Sequence, residues 1–342
     1  MRFIGGKSLM LEKIQQVIEE NTDERYQNRI FDCFAGSGVV SEYFKNLGYS
    51  VVSNDVMYMS YVLCRGGVGI NRELPRAQQL IDMLNGLTPE TSGYSPQNCF
   101  IYKNYSPCES SQRMYFQNKN ALKIDIIRRK IEEMYAQAEI DEDEYFYLLA
   151  RLISAVPYVS NIAGVYGAYL KHWDKRTYND LELEAAPLTV NPGKNYRCYH
   201  RDIDRLAPFV TADIAYVDPP YNQRQYVPNY HVLETIARYD SPALKGVTGM
   251  RPYDSQRSDF CIKNKVIDAF DRLFRELRVR YIILSYNNEG LVPSDVLAEL
   301  MQKYGRRFKL YEYDYRRYKN KIPNNTKGLK EQIYFIEKDI SL

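Results

Sequence analysis

The residues best suited to chemistry are Asp218-Pro219-Pro220-Tyr221, directly after the apolar run Ile214-Ala215-Tyr216-Val217. Such a run reads as a buried strand, and ligands of open α/β sheets bind at the carboxyl ends of strands, where this tetrapeptide falls. Two prolines stiffen the loop and fix the approach of the Asp218 carboxylate. Because neither has an N–H, the Pro219 carbonyl is left exposed as an acceptor. A rigid pair of acceptors suits an exocyclic amine. Tyr221 offers an aromatic face on which an extruded base could stack, a contact worth ~1–3 kcal/mol. Taken alone, the same four residues would serve equally well as a strand terminator. The decision rests on what else the chain carries.

A second constellation is Asp32-Cys33-Phe34-Ala35-Gly36-Ser37-Gly38, between a strand-like and a helix-like segment. Glycines there let the backbone approach a ligand, and an acidic residue ~20 positions on, here Asp55, can hold a ribose hydroxyl pair. The loop departs from the dinucleotide fingerprint, because Ser41 stands where a third glycine would pack helix against strand beneath a pyrophosphate. A cofactor with a nucleoside and no phosphates fits it better, and a nicotinamide dehydrogenase is correspondingly disfavoured.

The elements that must position these groups follow from periodicity. Residues 8–20 carry an amphipathic helical pattern after the Gly5-Gly6-Lys7 turn. Arg29–Phe34 reads as a strand, Val39–Leu47 as a helix stopped at Gly48, and Ser50–Asn54 as a second strand ending at Asp55, which completes a βαβ unit. Strand-like segments return at Tyr196–Tyr199, Ala212–Val217, Arg280–Leu284, Phe308–Tyr313 and Gln332–Ile336, with a helical pattern at 262–278. Alternating strands and helices predict an α/β core. Residues 86–120 are polar and turn-rich, and 121–172 hold two long helical patterns, so 72–194 reads as an insertion between core segments 1–71 and 195–342.

The 342 residues, 45% hydrophobic and 26% charged, leave room for a core plus an insertion and do not resemble a disordered chain. A net charge of +3 neither supports nor excludes nucleic acid, since a basic face can hide in a near-neutral total. Cys33, Cys64, Cys99, Cys108, Cys198 and Cys261 show neither metal-ligand spacing nor a disulfide framework, so reduced thiols are expected. The three histidines do not cluster, and no metal site is expected. With no apolar leader and no membrane-length run, the expected setting is cytoplasmic.

Phe3-x-Gly5-Gly6-Lys7, then Asp32-x-Phe34-x-Gly36-x-Gly38, Asp55, an insertion and Asp218-Pro-Pro-Tyr221 stand in the order of the Dam-type, alpha-ordered (D12 class) adenine-N6 DNA methyltransferases, which the chain resembles. The stretches 218–231 and Leu284-Ser-Tyr-Asn-Asn-Glu-Gly290 are similar to the FokI-type adenine methylases of restriction–modification systems. The likeness spans roughly 1–70 and 196–290, while the insertion matches mainly at 161–170. It implies a Rossmann-like core with a mixed sheet and an inserted, largely helical recognition domain. It implies S-adenosylmethionine as methyl donor, double-stranded DNA as partner, and a prokaryotic host. A cognate restriction endonuclease would act on the same site without contacting this chain. It further implies that Phe3 and Lys7 contact the donor, that Asp32 and Asp218 belong to its site, and that Phe34, Gly36 and Gly38 line its amino-acid end. Asp55 would bind the ribose, and Asp202 would lie near the donor's adenine, or else cap a helix at Ile203. Asp218 through Tyr221 would hold the target adenine.

Methyl transfer from a sulfonium needs no metal and no covalent enzyme intermediate, only alignment of the amine with the methyl carbon. A cytosine-C5 methylase would need a cysteine nucleophile, and Cys108 lies in a polar insertion with no acidic partner motif. Cytosine-N4 and RNA adenine-N6 methylation are chemically close alternatives, and the motif order with 284–290 favours DNA adenine. A non-catalytic DNA-binding module would have no use for both a donor loop and Asp218. Sequence discrimination is expected from 72–194, assisted by the 223–260 loop. Candidate base readers are Gln97-Asn98, Lys103-Asn104, Gln112-Arg113, Gln117 to Asn120 and Arg128 to Lys130.

Overall fold

In the computed structural model, residues 6–314 and 330–339 are described. Seven strands form one sheet: β1 (Arg29–Asp32), β2 (Ser50–Asp55), β3 (Tyr196–His200), β4 (Thr211–Val217), β5 (Arg278–Asn287), β6 (Gly305–Asp314) and β7 (Lys330–Lys338). They lie in the order β3-β2-β1-β4-β5-β7-β6. The first five are parallel, and β7 enters antiparallel between β5 and β6. The mixed α/β architecture predicted from the sequence is therefore present, with every anticipated strand in place.

Alternation along the strands divides the apolar residues between two faces. Phe31, Val52, Ala215, Val217, Ile282, Leu284, Tyr334 and Ile336 meet the helices Val266–Glu276 and Ser294–Gln302. Ile30, Val51, Ile214, Tyr216, Ile283, Ile333 and Phe335 face the helices Leu11–Asn21 and Val39–Asn46. The exposed edge strand β6 carries Arg306, Arg307 and Lys309 with a register irregularity, features that discourage further strand pairing.

A third apolar cluster lies beside the sheet. It joins Met59 and Val62 of the helix Tyr58–Gly67 to Val232, Leu233 and Ile236 of the helix Val227–Arg238, and both to residues 81–183. The stretch that the sequence sets apart as an insertion thus shares one interior with two helices outside it. Of the two helical patterns in 121–172, the first forms Asn118–Ala136 and the second Glu142–Ala155. The second closes just before Pro157, whose ring and missing N–H are incompatible with a helix interior, and 159–172 is irregular.

Several candidate base readers are spent inside the protein. Arg128 is buried and donates to the carbonyls of Ile236 and Ala237, and Asn120 donates to those of Thr177 and Asn179. Arg113 holds the carbonyls of Gly246 and Val247, Arg129 stacks on Tyr94, and Lys119 pairs with Asp180. Arg128 and Asn120 tie loops together because an unpaired buried donor is costly, whereas the Lys119 pair lies on the surface.

Candidate active site

Strands β1 and β4 are neighbours, yet their connections leave in opposite directions, β1 to β2 and β4 to β5, which makes a switch point between them. A cavity opens there at the strands' carboxyl ends. Its lining includes Lys7, Asp32, Phe34, Gly36, Asp55, Asp202, Asp218 and Pro220. Gly38, Pro219 and Tyr221 lie outside that lining, and Phe3 lies outside the described residues.

The glycine loop is built by backbone economy. Gly36 adopts φ +54° and Gly38 φ +79°, left-handed values that a side chain disfavours. Gly38 opens the helix Val39–Asn46, and a Cβ there would sit 3.3 Å from the Cys64 sulfur. The Gly36 N–H donates to Asp55 Oδ2 at 2.8 Å, and the Met57 N–H to Asp55 Oδ1 at 2.8 Å. Asp55 therefore ties the end of β2 to the loop after β1. Burial raises its pKa to about 6 against the pull of those backbone donors. In place of the third glycine, the Ser41 hydroxyl donates to Asp32 Oδ2 at 2.7 Å, while Asp32 Oδ1 is buried without a hydrogen-bond partner. Burial lifts the Asp32 pKa to about 7.

At the end of β4, Asp218 Oδ1 lies 2.9 Å from the buried Lys7 ammonium, which is also 2.8 Å from Glu331 Oε1 on β7. Burial raises the Asp218 pKa to about 6, opposed by Lys7 and reinforced by Glu331. Burial opposes the Lys7 charge as well, but Asp218 and Glu331 prevail and its pKa stands well above the usual lysine value. Tyr221 is 9% exposed and packs in the apolar cluster on the Val266–Glu276 side of the sheet, its carbonyl accepting from Leu291 N–H at 3.0 Å. Asp202 accepts from the Asp204 N–H at 2.9 Å, so it caps the short helix Ile203–Leu206 while facing the cavity.

Sequence reasoning missed the far wall. Gln225 and Ser258 form a reciprocal clasp, Gln225 Nε2 donating to the Ser258 carbonyl at 2.9 Å and Ser258 N–H to Gln225 Oε1 at 2.8 Å. Phe260 stands edge-on to Phe34, with centroids 5.2 Å apart. Glu331 was missed too, although a carboxylate at the head of Lys330-Glu331-Gln332-Ile333-Tyr334-Phe335 is a visible anomaly in an apolar strand. All six cysteines are free, and no group of three metal-binding side chains occurs among the described residues. No helix among them is long and apolar enough to cross a membrane.

The family model described as D12 class N6 adenine-specific DNA methyltransferase matches residues 3–292. The chain belongs to that family. It is 42% identical over its whole length to the type II methyltransferase M.FokI of Planomicrobium okeanokoites, of which it covers 53%. With the modification methylase StsI of Streptococcus sanguinis the identity is 37% over 99% of the chain and 52% of the relative. With M.NlaIII of Neisseria lactamica it is 38% over 93% of the chain and 92% of the relative. The chain thus spans about half the length of the first two relatives and nearly all of the third.

Proposed function

We propose that this chain is a site-specific DNA methyltransferase. It moves a methyl group from S-adenosylmethionine to N6 of an adenine flipped out of double-stranded DNA, as the modification enzyme of a restriction–modification system. The observation that carries the reading is one cavity joining the Asp218 loop to the Gly36–Asp55 wall. The orphaned Asp32 Oδ1 supports the fit of the donor, since an arriving ammonium would satisfy it. The aromatic pair Phe34–Phe260 offers an apolar wall, and Asp55 a carboxylate for ribose hydroxyls. Lys7, Gly36 and Asp202 complete the proposed donor set. Gly38 shapes the loop from behind, and Phe3 enters through resemblance alone.

The donor, when bound, supplies a methyl group on a cationic sulfur. Asp218 and the Pro219 carbonyl accept the two N–H groups of the adenine amine, which favours its nucleophilic form and stabilises the charge that develops on nitrogen. The nitrogen lone pair forms the new C–N bond as the C–S pair returns to sulfur, and the surplus proton leaves along the hydrogen bond to Asp218. Extrusion of the base costs a few kcal/mol. Asp218 and its loop are held rigidly by Pro219, Pro220 and the Lys7 ion pair, so little reorganisation accompanies the reaction.

The region 72–194, with the irregular residues of 239–260 after the helix Val227–Arg238, is proposed to read the DNA sequence through residues left exposed there, such as Gln97, Asn98, Lys103 and Gln112. A cognate endonuclease would act on the same site without touching this chain, in the cytoplasm of a prokaryotic host. The test is incubation of purified protein with tritiated donor and duplex DNA, followed by digestion to nucleosides. Label is expected in N6-methyladenine. Label in N4-methylcytosine, or transfer to RNA alone, would replace this reading.

A further inference from the structure

We infer that Glu331 is a positioning residue for methyl transfer: by sharing the Lys7 ammonium it keeps that cation from fully offsetting the Asp218 carboxylate, which stays a strong acceptor for the substrate amine. The inference rests on the reading of Asp218 as the amine acceptor. Glu331 lies beyond the 3–292 stretch matched to the family and outside the cavity lining, so it has no contact with a reacting group in the cavity. It reaches Asp218 only through the Lys7 ammonium, 2.8 Å on one side and 2.9 Å on the other. Both Lys7 and Glu331 are 5% exposed.

The charge count explains the arrangement. One buried ammonium against one carboxylate would neutralise Asp218, and its acceptor strength toward an amine becoming cationic would fall. Two carboxylates on one ammonium leave a net negative charge, and only Asp218 of the pair faces the cavity. Glu331 cannot drift, because its backbone is paired on both sides, opposite Asn287 of β5 and Tyr313 of β6. The other ionisable groups around the trio are Tyr216, whose hydroxyl donates to Ser285 at 3.0 Å, and Tyr226 and Asp32 in the neighbouring cavity wall, and all three are neutral or acidic. None supplies a second cation. The directions agree: Lys7 lowers the pKa of Asp218 and Glu331 raises it, so Glu331 also makes Asp218 a better acceptor for the departing proton.

The test compares single-turnover methylation of duplex DNA by wild type and Glu331→Gln across the acid range, with donor affinity measured in parallel. Losing a negative neighbour should move the acid limb of the rate profile down by about one pH unit. The plateau should fall roughly tenfold. Donor affinity should change less than the plateau rate, since Glu331 lies outside the cavity and reaches the donor wall only through Lys7. A merely structural role would lower the active fraction and leave the limb in place, which overturns the inference. Lys7→Met provides the opposite arm: Asp218 loses its cation, so the limb should move up. If both variants keep the wild-type limb, the charge relay is wrong. A folded wild type that binds donor but never labels adenine overturns the reading of the site and this inference with it. An active wild type with an unshifted Glu331→Gln profile overturns the inference alone.

Discussion

Asp218 must stay anionic where burial disfavours charge. With its pKa raised to about 6, its acceptor form is lost as pH falls through that value. Methylation should therefore climb between mildly acid and neutral pH, and a rate profile flat across that window would remove Asp218 as the acceptor. Asp218→Ala should lower turnover roughly a hundredfold or more. The fold should survive, because Glu331 still compensates Lys7, and a circular dichroism melt alongside the assay checks both. Asp32 presents a trade-off. Its folded pKa of about 7 exceeds the ordinary 3.8, so the fold favours the neutral acid: that stability is full below 3.8 and lost as pH rises through about 7. Asp32→Asn should then melt higher than wild type by a margin larger in alkaline than in acid buffer, while binding donor more weakly. Equal margins at both pH values would remove desolvation as the cause. Tyr221 was read from sequence as a stacking face, and its ring packs mostly within the apolar cluster. Tyr221→Ala should therefore lose stability, by ~3–5 kcal/mol on the scale of aromatic truncations, and Tyr221→Phe much less.

At the scale of elements, what was legible depended on whether a segment carries its own signals. The strands β1, β2 and β4 announce themselves by apolar runs ending at Asp32, Asp55 and Asp218, and the site's carboxylates were found because they sit at those ends. The helix Tyr58–Gly67 was not found, because its caps come from far along the chain. The Glu234 carboxylate accepts from the Tyr58 and Met59 N–H groups at 3.1 and 2.8 Å, and the Lys45 ammonium donates to the carbonyls of Gly67 and Val68 at 3.1 Å. Neither partner is visible in a local window. The helix Val227–Arg238 is not legible locally, because Asn229, His231, Glu234 and Thr235 interrupt its apolar pattern, although the last three are buried. Glu234→Ala should leave two helix-start donors unsatisfied and Arg238 unpaired, at a cost of ~1–3 kcal/mol, measurable by urea titration. Donor affinity should drop with it, since Asp55 stands just before the helix Tyr58–Gly67 whose start those donors form. An unchanged denaturation midpoint would show that the cap is dispensable.

Over the whole molecule, the strand plan and mixed sheet could be anticipated, whereas the sharing of one interior by 81–183 and the two flanking helices could not. Nothing local says which apolar faces will meet. That sharing bears on specificity engineering: a hybrid exchanging only 72–194 with a relative of different target should be less stable than one that also exchanges Tyr58–Gly67 and Val227–Arg238. Thermal melts of the two hybrids, with sequencing of methylated sites, decide it. Equal stability would mean the shared interior tolerates foreign partners. The place of β7 has a consequence for synthesis. It is the last strand in chain order, yet it fills the gap between β5 and β6 and brings the counter-ion of Lys7 from the opposite end of the sequence. At ~5–20 residues per second, Lys7 leaves the ribosome roughly half a minute before Glu331 does. Near the end of that interval, once β5 and β6 have emerged and until β7 follows, β5 has an open edge and β6 has no partner in the sheet. A nascent chain paused ahead of Lys330 is therefore a sticky sheet in which Lys7 still lacks its Glu331 counter-ion.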